Sequence, residues 1–127
     1  MLERGRGRIV NVSSIAGKVG SAYIAAYCAS KHAVDALTKA FRQDLLPHGI
    51  KVTQIAPGMA ETEFSVVRFA GDAARAKQVY AGVQPLTGED IANLAWFAAN
   101  LPAHVCINDL VVTPTAQANS TTVHRAS

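Results

Sequence analysis

Ser14, Tyr27 and Lys31 are three side chains whose types and spacing could carry out proton transfer. The tyrosine and the lysine are four positions apart, so on a helix they would share one face and be separated by about one turn. A tyrosine hydroxyl ordinarily has a pKa near ~10, too high for a general base at neutral pH, and a nearby ammonium favours the phenolate. The spacing therefore indicates a lysine-assisted tyrosine with a serine hydroxyl close to it.

The elements that must hold these residues alternate along the chain. Three β-branched runs predict buried strands, over residues 8–14, 50–56 and 105–112. The segments between them have helical periodicity, over residues 27–46, 72–83 and 91–101, and Thr87 with Asp90 predicts a capping box before the last helix. Because alternating strands and helices favour parallel pairing and right-handed crossovers, the predicted fold class is α/β, a βαβαβ unit with strands adjacent in chain order.

The strand ends are where a ligand site is expected, because ligands bind beyond the carboxyl ends of the strands in such sheets. Ser13 and Ser14 follow the first strand, residues 57–62 follow the second, and Thr113 follows the third. Taken alone, the two serines are more often turn or cap residues, and a tyrosine–lysine pair at this spacing also arises by chance. The joint arrangement of serine, tyrosine, lysine and a Pro-Gly break indicates a functional site.

The composition excludes several classes of protein. The 127 residues, 50% hydrophobic and 17% charged, are enough to bury one core. The net charge of +3 comes largely from Arg4, Arg6 and Arg8 without a basic stripe, which argues against a nucleic-acid partner. No apolar run approaches the ~20 residues of a membrane span, and residues 1–12 lack the apolar centre of a signal peptide. We therefore expect a soluble, cytoplasmic protein without a membrane partner.

Cysteines, histidines and large aromatic residues favour structural roles. Cys28 and Cys106 have neither a paired framework nor metal-ligand spacing, which predicts two buried free thiols. The four histidines show no such spacing either, so no metal is expected. Trp96 and Phe97 lie on the last predicted helix, in a pattern typical of a core or a subunit interface.

The segments "NVSSIAG", "YCASK" and "APGMAET" resemble the motifs of the short-chain dehydrogenase/reductase family. They are similar to its strand-end serine, its Tyr-x-x-x-Lys and its Pro-Gly segment followed by threonine. The resemblance covers essentially the whole chain, because "ETEFSVVRFAGD" and "LPAHVCINDLVVTPTAQ" look like later segments of the branch that acts on 3-hydroxy acids with NADP. It implies an oxidoreductase of a small hydroxy acid such as serine or 3-hydroxypropionate, with NAD as the alternative cofactor and a homo-oligomeric full-length form.

The resemblance also implies a role for each matching residue. Tyr27 would act as general acid or base at the substrate oxygen, and Ser14 would hydrogen-bond the same oxygen. Lys31 would support Tyr27 and hold the nicotinamide ribose hydroxyls. The implied cofactor site consists of Tyr27, Lys31, Pro57, Gly58 and Thr62, with Pro57 and Gly58 admitting the nicotinamide and Thr62 contacting its carboxamide. Arg68 is the candidate partner for a substrate carboxylate.

Three parts of the family pattern have no match in this sequence: its glycine-rich turn, its acidic or basic residue that selects NAD or NADP, and the upstream asparagine that completes its catalytic tetrad. The glycine-rich turn that presents helix N-terminal amides to the pyrophosphate is absent, and "GRGR" at residues 5–8 precedes a strand instead of following one. The resemblance thus implies the C-terminal part of a doubly wound Rossmann-like sheet, one partial domain over 1–127 with an irregular tail over 113–127. Three functions stay open: an NADP-linked 3-hydroxy acid oxidoreductase within a longer chain, an inert truncated product, and an assembly module that supplies subunit contacts.

Overall fold

A parallel three-stranded sheet forms the centre of the computed structural model, which describes residues 1–126. The elements in chain order are β1 (Gly7–Val12), α1 (Ala25–Asp44), β2 (Ile50–Pro57), β3 (Ala60–Glu61), α2 (Glu63–Arg68), α3 (Ala73–Gln78), β4 (Leu86–Thr87), α4 (Gly88–Ala99) and β5 (Asp109–Val112). Single 3-10 turns cover Ile15–Gly17 and Leu46–His48. The strand order β1-β2-β5 confirms the predicted α/β class with three parallel strands adjacent in chain order.

The central strand β2 contains the most deeply buried residues. Val52, Ile55 and Ala56 have no exposed surface, because β2 is paired on both edges and contacts both α1 and α4. Such a continuous buried run is typical of a parallel strand covered on both faces. Pro57 ends the strand as the sequence predicts. The carboxyl ends of β1 and β2 therefore lie together at one edge of the sheet.

Helix α1 crosses from the end of β1 back to the start of β2. It begins two residues before the predicted start at Tyr27 and ends at Asp44, after which Gly49 adopts a left-handed conformation with φ 63°. Thr38, 1% exposed, fixes the helix on the sheet, since its hydroxyl donates to Val34 O and accepts from the Asn11 amide at 2.9 Å. This packing holds the N-terminal turns of α1 beside the end of β1.

Several elements differ from the prediction. β5 begins at Asp109 instead of 105, because the Lys51 ammonium donates to the main-chain carbonyls of Leu101 and Val105 and holds that segment in a turn. α3 ends at Gln78 instead of 83. The two-residue strands β3 and β4 pair in parallel, and the short helix α2 was not predicted. The capping box of α4 between Thr87 and Asp90 is present as predicted.

One expectation about burial is corrected, and for Trp96 and Phe97 only the subunit interface stays open of the two predicted locations. Both cysteines are free thiols, but only Cys28 is buried, since Cys106 lies in the exposed segment before β5. Trp96 and Phe97 are 73% and 56% exposed, so neither belongs to the core. Within residues 1–126 no helix is both long enough and apolar enough to cross a membrane.

Candidate active site

A cleft of about 500 Å³ opens where β1 and β2 end. Its lining includes six of the seven residues that the sequence analysis singled out: Ser14, Tyr27, Pro57, Gly58, Thr62 and Arg68. The seventh, Lys31, does not line the cleft, although its ammonium lies near the Tyr27 ring. Ser14 and Tyr27 therefore lie in one cleft, as expected for residues at a strand end and at the start of α1. Lys31 does not line the cleft and contacts the site through Tyr27.

The two neighbouring serines have different environments. Ser14 caps the 3-10 turn, its oxygen accepting from the Ala16 N–H at 3.1 Å. Within residues 1–126 the Ser14 proton has no acceptor, so it is available to a ligand in the cleft. Ser13 is 5% exposed, and its hydroxyl donates to the main-chain carbonyl of Lys31 at 3.3 Å. Ser13 therefore ties β1 to α1, while Ser14 is the serine that can contact a substrate.

Tyr27 and Lys31 occupy one face of the first turns of α1. The Lys31 ammonium lies 5.7 Å from the centroid of the Tyr27 ring, within the range of a cation–π interaction. In the part of the chain that the structure describes, the Tyr27 hydroxyl has no hydrogen-bond partner. The arrangement therefore combines a phenol that lines the cleft with a positive charge close to its ring.

Gly17 permits the close approach of α1 to the loop that carries Ser14. A Cβ at this position would lie 2.7 Å from the Lys31 carbonyl oxygen and 2.9 Å from its carbonyl carbon, distances that real Cβ atoms do not adopt. No other residue type fits there without moving the backbone. Gly17 thus sets the separation between Ser14 on one side and Tyr27 and Lys31 on the other.

The turn after β2 is clamped by Gln117, a residue that sequence reasoning missed. The Gln117 side-chain oxygen accepts from the Met59 N–H at 2.8 Å, and Gly58 N–H donates to Val112 O at 2.7 Å. A Cβ at Gly58 would overlap the Gln117 side chain. Gln117 is 5% exposed, although it lies in the tail expected to be irregular. The one signal for it was its place at the end of "LPAHVCINDLVVTPTAQ".

Helix α2 covers one side of the cleft. The Phe64 ring lies 5.5 Å from the Tyr27 ring at an angle of 43°. Thr62 caps this helix by accepting from the Phe64 N–H at 3.2 Å, so its oxygen is partly engaged and its proton is the group it can offer to a ligand. Arg68 is the only lysine or arginine that lines the cleft within residues 1–126, and its guanidinium lies 5.3 Å from the Phe69 ring.

An ion-pair cluster outside the cleft joins the Ser14 loop to α1 and β5. Lys18 donates to Asp35 of α1 at 3.3 Å and to Asp109 of β5 at 2.6 Å. Hydrogen bonds, from Lys39 above all and also from Gln54 and Lys18, hold the pKa of Asp35 at about 2. The hydrogen bond to Asp109 raises the pKa of Lys18 above its usual value. These charges are paired and distant from the cleft, so their part is to fix the elements that carry the site.

Comparison with known proteins gives consistent matches. The family model for short chain dehydrogenases matches residues 1–73. Sulfoacetaldehyde reductase 2 of Chromohalobacter salexigens is 46% identical over 119 residues, 93% of this chain and 47% of the relative. The NADP-dependent 3-hydroxy acid dehydrogenase of Escherichia coli is 40% identical over 127 residues, 98% of this chain and 51% of the relative.

A solved structure is similar over nearly the whole chain. The closed form of serine dehydrogenase complexed with NADP+ has a TM-score of 0.91 and 40% identity, covering 99% of this chain and 52% of that one. The chain thus spans about half the length of the curated relatives it matches. Because the family model matches more than half of the residues and the fold agrees, the chain belongs to the short-chain dehydrogenase family.

Proposed function

We propose that this chain is the catalytic part of an oxidoreductase that transfers a hydride between NADP and a small 3-hydroxy acid such as serine or 3-hydroxypropionate. The observation that carries the proposal is that Ser14 and Tyr27 line one cleft with unpaired hydroxyl protons, and that Lys31 lies 5.7 Å from the tyrosine ring. The similarity to an NADP-dependent 3-hydroxy acid dehydrogenase and to a serine dehydrogenase complexed with NADP+ supports the cofactor and the substrate class. In this proposal residues 1–127 are one partial Rossmann-like domain.

The proton-transfer step follows from the geometry of the two hydroxyls. Ser14 donates a hydrogen bond to the substrate oxygen, since its own oxygen is already engaged by Ala16 N–H and its proton is free. Tyr27 takes the hydroxyl proton during oxidation and returns it during reduction. When bound, the nicotinamide ring accepts or supplies the hydride at the substrate carbon. Lys31 offsets the negative charge that Tyr27 carries in one of its two protonation states.

The cleft fits the nicotinamide end of a dinucleotide. Pro57 and Gly58 form the turn after β2 and line the cleft, so a planar ring bound there would lie against this turn, which Gln117 holds from the position that a Gly58 side chain would take. Thr62 can donate to a carboxamide, and Lys31, next to Tyr27, would donate to the ribose hydroxyls. No glycine-rich strand-to-helix turn lies in this sequence, so in this proposal the pyrophosphate is bound by residues outside it.

The substrate class is proposed from the charge and size of the cleft. Arg68 is the one cationic side chain in its lining among the described residues, and a carboxylate bound there would form a charge-assisted pair. Phe64 packs near Tyr27 and would exclude water from the reacting atoms. These two features favour a short substrate with one acidic group over a steroid or a sugar.

The test is a chimera in which this chain follows the N-terminal half of the E. coli 3-hydroxy acid dehydrogenase. Tyr27→Phe should lower turnover of 3-hydroxypropionate at least ~10²-fold by removing the proton donor. Tyr23→Phe makes the same chemical change at a fully exposed tyrosine and should have no effect. Turnover of Tyr27→Phe close to the parent chimera would refute the assigned role, and a clear preference for an uncharged alcohol would refute the substrate class.

The cofactor needs a separate test, because the chimera takes its cofactor selection from the donor half. The longest in-frame polypeptide that contains this chain should be expressed and its kcat/KM compared for NADP and NAD. A value higher with NADP supports the proposal, and a value higher with NAD contradicts it.

Assembly is the second role that a specific observation favours. Leu37 and Phe41 on α1 are 52% and 42% exposed, and Trp96 on α4 is 73% exposed. Large exposed apolar side chains on a helix are typical of surfaces covered by another subunit, and α1 and α4 each present such residues. We infer that the full-length form is a homo-oligomer through these helices. Sedimentation of the chimera as a monomer at micromolar concentration would contradict this inference.

A further inference from the structure

The hydroxyl of Tyr80 joins the segments that cover the cleft. It donates to the main-chain carbonyl of Ala60 in β3 at 2.9 Å and lies 2.6 Å from the hydroxyl of Ser65 in α2. A phenol has one proton, and Tyr80 gives it to Ala60, so the Ser65 hydroxyl must donate to the Tyr80 oxygen. One side chain, placed just after α3, therefore links β3 and α2.

Helix α2 has few other anchors. Phe64, Val66 and Val67 are 49%, 37% and 75% exposed, and Ser65 is the helix's one buried residue, at 5% exposure. Among residues 1–126 the two bonds of Tyr80 are the only side-chain hydrogen bonds that join residues 73–83 to residues 60–69. A six-residue helix is too short to be stable by itself. The position of α2 therefore depends on the bond between Ser65 and Tyr80.

The residues of α2 next to Ser65 are the ones that face the proposed substrate. Phe64 packs 5.5 Å from the Tyr27 ring, and Arg68, one turn after Ser65, is the cation of the cleft lining. A helix that rotates or shifts would move the guanidinium away from a carboxylate but would leave Ser14 and Tyr27 in place, since those two are held by β1 and α1.

We propose that Tyr80 is a positioning residue that holds Arg68 in place and so determines selectivity for acidic over neutral substrates. The proposal rests on the proposed function, because it takes the bound group of the substrate to be an anion. Ser65 and Tyr80 also line the cleft, but Tyr80 gives its proton to the Ala60 carbonyl and Ser65 gives its proton to the Tyr80 oxygen, so neither is free to donate to the substrate. The loss of Tyr80 should therefore act mainly on KM for the acid.

The experiment compares Tyr80→Phe and Ser65→Ala in the chimera, with Tyr23→Phe as the matched control. The substrates are 3-hydroxypropionate and 1,3-propanediol, which have the same carbon skeleton with and without the charge. We expect each variant to lower kcat/KM for the acid ~10-fold, mainly through KM, and to change that for the diol less than ~2-fold. The double variant should be no worse than Tyr80→Phe alone, because Tyr80→Phe already removes the one bond that Ser65→Ala removes.

A second measurement keeps the two proposals separable. Amide hydrogen exchange over residues 63–68 should become faster in Tyr80→Phe and stay unchanged in Tyr23→Phe. Unchanged exchange would overturn the proposal, and so would an equal loss of kcat/KM on both substrates. A parent chimera that oxidises neither substrate would refute the proposed function instead, and the exchange rates would then decide whether Tyr80 positions α2.

Discussion

Gly17→Ala tests whether the distance between the Ser14 loop and α1 is set by the absence of a side chain. The new Cβ would lie 2.7 Å from the Lys31 carbonyl oxygen, whereas ordinary contacts of a Cβ begin near 3.4 Å. Both neighbouring atoms of Lys31 belong to the backbone of a 20-residue helix, so no side-chain rotation can relieve the overlap. The loop and the helix must separate by about half an ångström or more.

The separation should affect both stability and turnover. Overpacking of this kind typically costs ~1–3 kcal/mol, and the hydrogen bond from Ser13 to the same Lys31 carbonyl would lengthen from 3.3 Å. Because Ser14 lies on one side of the gap and Tyr27 on the other, the two hydroxyls would no longer meet one substrate oxygen. A misplacement approaching ~1 Å can cost ~10²-fold in rate, so a loss of about tenfold is expected here.

Thermal unfolding and steady-state turnover of the chimera provide the measurements. For a protein of the chimera's size, ~1 kcal/mol corresponds to a fall of ~2–4 °C in the melting temperature. Gly20→Ala is the control, since nothing lies within 4 Å of a Cβ there. A Gly17→Ala variant with the melting temperature and turnover of Gly20→Ala would refute the reasoning.

Three further predictions concern other contacts. The pKa of Asp35, held at about 2 by its hydrogen bonds, lies below the ordinary 3.8, so its ion pairs stabilise the fold above pH 4 and lose this effect as the pH falls to 2. Because solvent screens these ion pairs, Asp35→Asn should lower the free energy of unfolding by about 1 kcal/mol at pH 7, measured by urea unfolding. Gln117→Ala should leave the Met59 N–H unpaired, which should lower the free energy of unfolding by ~1–3 kcal/mol and also lower the turnover of the chimera. The isolated chain should bind NADPH ~10⁴-fold more weakly than the chimera, a loss of ~5 kcal/mol, in fluorescence titration.

Each of these predictions has a matched control or a contrary result. Asp44→Asn changes an exposed carboxylate of the same helix, and an equal effect of the two variants would contradict the role of the Asp35 pairs. Gln84→Ala removes an exposed amide, and Gln117→Ala should be clearly less stable than it. Micromolar NADPH binding together with steady turnover by the isolated, monodisperse chain would show that the pyrophosphate needs no residues outside this sequence.

The parallel sheet could be predicted because its signals are local. Each strand is a β-branched run, and Pro57 and Gly58 end β2 where the sequence indicates. The start of β5 could not be predicted in this way, since it depends on Lys51, a residue of β2 that binds carbonyls some fifty positions later. The two-residue strands β3 and β4 are too short to show any periodicity.

The site residues that belong to short sequence motifs could be predicted, and those that act through tertiary packing could not. Ser14, Tyr27 and Gly58 lie at the cleft as expected, and their chemical roles stay predictions until the variants are measured. Tyr80 had no such signal, and Gln117 had only its place at the end of one segment that resembles the family. Gln117 acts through a side-chain hydrogen bond to Met59 N–H and Tyr80 through bonds to Ser65 and Ala60, and nothing in the local sequence specifies these partners.

The proton-transfer geometry depends on contacts that are all internal to this chain. Ser13 binds the Lys31 carbonyl, Gly17 abuts the same carbonyl, and Lys18 pairs with Asp35 one turn further along α1. Three successive contacts therefore attach the loop after Ser14 to the helix that carries Tyr27. None of them needs a residue beyond 1–126, so the chimera should retain the geometry of this site whichever related N-terminal half precedes it. Differences in turnover between variants of one chimera then report on these residues, because the donor half is the same in every variant.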